Sequence, residues 1–122
     1  MIRNGLYATT SKALDGVEGG ATGVSVVQNG TMRGGGSIYY HVGNYTCSNG
    51  KWKGSLTIRE HAPDVITALF ARKVVTMGFS GTYTDDGAEF EATALVGKRS
   101  ARLHVTFQLL IPDEGEQQNS TT

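Results

Sequence analysis

Cysteine is almost missing from this sequence. Cys47 stands alone, so no internal disulfide can staple the fold and no paired-cysteine metal site can form. Proline is nearly as scarce, with only Pro63 and Pro112, which sets the composition apart from Pro/Gly-rich disordered chains. No apolar run reaches the roughly 18 residues of a membrane-spanning helix, and the opening MIRNGLYATT lacks the apolar stretch of a signal peptide. The expectation is a cytoplasmic protein without a membrane role. The Asn-x-Ser/Thr matches at Asn29, Asn44 and Asn119 then read as chance. Neither sign of charge is in excess, since 11 basic and 11 acidic side chains cancel. Nucleic-acid binders draw affinity from Lys/Arg–phosphate contacts and usually show a basic surplus or patch. None is evident here, so direct nucleic-acid binding is not expected.

What the sequence does have is glycine and alternation. Its 17 glycines are about twice the average share, and they fall among short apolar runs, which suggests tight turns and bent strands. Period-two patterning dominates. Leu103, Val105, Phe107 and Leu109 share one face of their segment, while His104, Thr106 and Gln108 take the other. Trp52, Leu56 and Ile58 form a second inward set, and Phe90, Ala92, Ala94 and Val96 a third. Val75, Met77, Phe79 and Tyr83 form a fourth, with Gly81 in the same register. One buried face and one wet face is the signature of an antiparallel sheet.

Asn29-Gly30, Asn49-Gly50 and Asp86-Gly87 each separate two strand-like runs, and such pairs favour tight hairpin turns with positive φ. They predict hairpins of 21–28 with 31–34, 37–47 with 51–60, and 73–84 with 88–96. A first strand near 5–10 and a last near 100–111 bring the total to about eight, in an up-and-down meander. The fold class is therefore all-β, mainly antiparallel. Eight meandering strands manage their edges by curling toward a barrel. Only 64–70, after Pro63, has helical spacing, and it predicts one short helix or turn against the sheet. The domain is expected over 1–111, with 112–122 a disordered polar tail.

No catalytic constellation emerges. Gly34-Gly35-Gly36-Ser37 and the glycines of 16–23 lack the Gly-Lys-Ser/Thr and following helix of a phosphate loop. His41, His61 and His104 fall on different segments with no close pairing, and Asp85-Asp86 reads as a turn, so neither a metal nor a cofactor is expected. Cys47 has nothing local to activate it, and Ser80 lacks the Gly-x-Ser-x-Gly elbow. The expectation is a binding protein rather than an enzyme. Tyr40, Trp52, Phe79, Phe90 and Phe107 are assigned to inward faces. They form either a packed core or the lining of a site for a small apolar ligand or lipid, because eight strands leave just enough interior for side chains or one small ligand.

The succession Asn4-Gly5-Leu6-Tyr7, Gly23-Val-Ser-Val-Val27, Asn29-Gly30-Thr31-Met32, Gly34-Gly35-Gly36-Ser37 and Tyr39-Tyr40-His41-Val42-Gly43 resembles the GrlR-like family, over roughly residues 3–110. The best-known member of that family is a negative regulator of a bacterial type III secretion locus. The resemblance implies a lipocalin-like, partly open barrel, a homodimer, and action by binding a transcriptional activator. It also implies partner binding at an acidic Glu-Asp-Glu-Asp loop. The corresponding hairpin here is Cys47-Ser48-Asn49-Gly50, which carries no acidic residue. The function expected is regulation by protein–protein interaction, with the ligand-carrying barrel as the alternative.

Overall fold

A computed structural model describes residues 1–13, 20–62, 74–96 and 99–113. The alternation seen in the sequence becomes eight antiparallel strands: β1 (Gly5–Ala13), β2 (Gly20–Gln28), β3 (Thr31–Gly35), β4 (Tyr39–Ser48), β5 (Lys51–Glu60), β6 (Val74–Tyr83), β7 (Gly87–Val96) and β8 (Arg99–Pro112). Each strand pairs with its sequence neighbours, and β1 pairs with β8 to complete a closed barrel. The eight-stranded up-and-down, lipocalin-like barrel is thus present. The barrel is closed rather than partly open, because the β1–β8 ladder runs from Gly5↔Pro112 to Ala13↔Leu103, although the β6–β7 ladder stops at Gly78↔Thr93 and leaves Val74–Met77 without a partner on β7. The expected helix at 64–70 and tail residues 114–122 lie outside the described residues. Pro112 belongs to β8, and the Asp113 amide donates to the Asn4 carbonyl at 3.1 Å.

Two of the three predicted hairpin turns have the expected geometry. Asn29 and Gly30 have φ of 51° and 87°, and Asn49 and Gly50 have φ of 53° and 77°, the pair of positive values that matches the twist of flanking strands. The third turn differs. Gly87 already belongs to β7, and Thr84–Asp86 makes the connection. There the Thr84 hydroxyl donates to the Asp86 carboxylate at 3.0 Å and the Thr84 amide to the Gly87 carbonyl at 2.8 Å, so side-chain chemistry holds the bend without a positive φ.

These turns lie at one end of the barrel, and the N-terminal segment crosses that end. Asn4 and Asn29 exchange two hydrogen bonds, both 3.0 Å, and the Arg3 guanidinium reaches the Asp85 carbonyl at 3.5 Å. Ile2 is buried, and the Tyr7 hydroxyl donates to the Arg3 carbonyl at 2.7 Å. Inside this end sit Tyr7, Val27, Met32, Tyr45, Trp52, Phe79, Phe90 and Phe107, all buried. Burial of large apolar side chains on this scale supplies the main driving force for folding.

Candidate functional site

The interior aromatics come together, with one exception. Trp52 is their hub, with ring centroids 5.5 Å from Tyr45, 5.3 Å from Phe79, 5.6 Å from Phe90 and 5.3 Å from Phe107, all edge-to-face. Phe79 and Phe90 lie 4.3 Å apart. At these spacings the rings touch, so this half of the barrel is filled by its own side chains.

Tyr40 is the exception and corrects the inward assignment made for it. The inner face of β4 is carried by Tyr39, His41, Gly43, Tyr45 and Cys47, which places Tyr40 outside, beside the exposed His61 at 6.1 Å between ring centroids. Two adjacent tyrosines fit either parity of a strand, and a one-residue slip exchanges the faces.

Bulky interior side chains are accommodated by glycines on the strand between. Trp52 pairs with Gly81, which in turn pairs with Phe90. Trp52 spans the gap so that its indole Nε1 donates to the Glu89 carbonyl at 3.0 Å. A Cβ on Gly81 would meet that same carbonyl oxygen at 1.8 Å.

The arrangement recurs further along the barrel, where Ser25, Gly34 and His41 occupy one row across β2, β3 and β4. The Ser25 hydroxyl and His41 Nε2 are 2.9 Å apart, and Ser25 is fully buried. Burial lowers the His41 pKa, which favours the neutral imidazole. A serine–histidine pair is the start of nucleophilic chemistry. Here, however, the hydroxyl has no solvent access, and each group serves as the other's hydrogen-bond partner.

The remaining candidates are dispersed. Cys47 is half-buried and packs against the core, while Ser48 and Asn49 are exposed at the turn, where the Gly50 carbonyl accepts from the Tyr83 amide at 3.0 Å. His61 is held through Nε2 donating to the Gly36 carbonyl at 2.8 Å, and His104 lies 3.6 Å from Glu89. No group of three metal-ligating side chains occurs among the described residues.

The outer wall presents a feature that the sequence reading did not anticipate. Val24, Val26, Tyr40 and Val42 are 44%, 40%, 39% and 45% exposed, values high enough to make them contact surface rather than core. They lie in two adjacent rows, Val24–Gly35–Tyr40 and Val26–Arg33–Val42. Gly35 has no side chain to interrupt the first row. Exposed apolar side chains gathered on one wall in this way mark interaction surfaces.

Exposed cations lie within and beside this patch. Arg33 lies between Val26 and Val42, Arg59 pairs with Tyr40, and Lys51 and Lys53 lie farther along β5. No aspartate or glutamate occurs between Glu18 and Glu60, so the outward positions of β2 to β5 carry none. Arg33, Lys51, Lys53 and Arg59 thus give this wall a basic character that the balanced whole-chain composition does not show. Acids are concentrated elsewhere, as on β7, where Glu91 meets Arg102 at 3.4 Å and Glu89 meets His104. Whole-chain net charge averages over this separation, whereas the acid-free stretch from 19 to 59 would have revealed it.

In comparison with known proteins, no family model matches the chain and no curated protein is similar to it in sequence.

Proposed function

We propose that this protein is a non-enzymatic binding protein that acts by holding another protein against its outer wall. The observation that carries this reading is the exposure of Val24 and Val26 on β2 and of Tyr40 and Val42 on β4, facing the same way on either side of β3. The ring contacts around Trp52 favour it over the ligand-carrying barrel, since Trp52, Phe79, Phe90 and Phe107 pack on one another and Tyr40 lies outside. The resemblance of residues 4–43 to the GrlR-like family supports a regulatory role of the same kind: a cytoplasmic homodimer that restrains a transcriptional activator.

Native mass spectrometry of the tagged chain, isolated gently from its own host, tests the reading. The expected result is an added mass the size of a protein, lost when Val26→Asp and Val42→Asp are combined. An added mass of only a few hundred daltons, unchanged by those substitutions, would overturn it in favour of a small-molecule carrier.

A further inference from the structure

We infer that the partner segment held by the β2–β5 wall is an acidic polypeptide carrying apolar side chains. This inference rests on the protein-binding reading and adds the chemistry of the partner. Three observations lead to it. The wall offers Arg33, Lys51, Lys53 and Arg59, all exposed, with no outward acid on any of the four strands. Neither Arg33 nor Arg59 has an ion-pair partner among the described residues, whereas Arg102 on β8 is neutralised by Glu91. The two arginines are also interleaved with the apolar rows, Arg33 between Val26 and Val42 and Arg59 beside Tyr40.

A ligand complementary to this surface supplies carboxylates at the arginine positions and apolar side chains between them. An acidic, apolar-containing protein segment provides both. A nucleic-acid backbone provides only the charge and leaves Val24, Val26 and Val42 against solvated phosphates. The hairpin Cys47–Gly50 accords with this polarity. It has no acid, and Lys51 and Lys53 follow it.

Fluorescence anisotropy with labelled synthetic peptides tests the inference. One probe alternates glutamate with valine and leucine, the second has lysine in place of every glutamate, and the third is a short DNA duplex. The acidic peptide should bind the wild-type chain at low salt and weaken as salt rises. The combined Arg33→Glu and Arg59→Glu variant should lose at least tenfold in affinity, while Arg102→Gln should retain binding. Circular dichroism confirms the fold of each variant. Equal binding of the lysine peptide, or tighter binding of the duplex with loss in the double variant, would overturn the inference.

The two readings fail separately. A protein-sized mass that stays on the double variant isolated from its host keeps the binding function and removes the acidic partner. Acidic-peptide binding without any protein-sized mass on the wild-type chain keeps the wall's chemistry and removes the proposed function.

Discussion

The indole of Trp52 bonds to the carbonyl of Glu89 two strands away, at 3.0 Å, and Gly81 on the strand between is what makes the reach possible. Adding one carbon at Gly81 would place it 1.8 Å from that carbonyl oxygen and 2.6 Å from the Phe90 Cα, and backbone cannot yield as a flexible side chain can. Gly81→Ala should therefore cost about 1–3 kcal/mol or more, the range of overpacked cores. Gly78, three residues earlier on the same strand, would meet nothing within 4 Å. Gly78→Ala should be neutral or stabilise by about 0.4–1 kcal/mol through the unfolded state. Urea denaturation followed by tryptophan fluorescence compares the two, and equal losses would refute the gap role assigned to Gly81.

Trp52 itself touches four aromatic rings, so truncation opens a cavity at the centre of the packed half. Trp52→Ala should lose about 3–5 kcal/mol. The same variant should not change binding at the outer wall if it is assayed well below its unfolding midpoint. A selective loss of partner binding in a folded Trp52→Ala protein would instead show that the interior takes part in recognition.

The Tyr45 hydroxyl is buried without a hydrogen-bond partner among the described residues. Burial raises its pKa and Cys47 adds to the rise, while the nearby Gly30 backbone, which falls short of hydrogen-bond geometry, only partly opposes it. An unpaired buried hydroxyl costs desolvation without compensation, so Tyr45→Phe should gain on the order of 1 kcal/mol. Chemical denaturation at neutral pH measures this, and a loss of stability would reveal a partner for the hydroxyl.

His41 gives the interior a pH dependence. Its folded-state pKa is lowered from the ordinary value of 6.5 by burial, so below 6.5 the unfolded chain binds a proton that the folded chain resists. This contribution to stability is complete above 6.5 and is lost as pH falls from there toward the depressed value. Urea unfolding at pH 7.5 and 5.5 should show a larger acid loss for wild type than for His41→Gln, which keeps a polar group opposite Ser25. Equal losses would assign the acid sensitivity to other groups.

Most of the barrel was legible in the sequence because a strand with one wet face records its orientation every second residue. Leu103, Phe107, Trp52, Phe79 and Phe90 point where alternation places them. Tyr40 was not legible, since Tyr39 and Tyr40 offer both parities and the polar His41 gives no apolar signal of the inner face. The Ser25–His41 pair was hidden for a related reason. Its members are far apart along the chain and meet only because Gly34 lies between them in the folded sheet. Gly81, a glycine within a strand, turns out to lie where Trp52 reaches across to β7. Net charge conceals the basic wall; the acid-free stretch from 19 to 59 contains its cations, and the strand register adds that they face outward together.

The pairing of β1 with β8 sets the order in which the molecule can be assembled in a cell. β1 is synthesised before the other strands of the barrel, yet its neighbour β8 follows all of them, so the barrel cannot close until synthesis has passed Pro112. Closure is therefore a late step that joins residues as distant as Gly5 and Pro112, and topologies dominated by such distant contacts fold slowly. Throughout that interval the nascent sheet has two unpaired rims able to recruit strands from other chains. A chain that ends before β8 keeps both rims permanently, so truncation of the last strand converts a closed molecule into a template for aggregation.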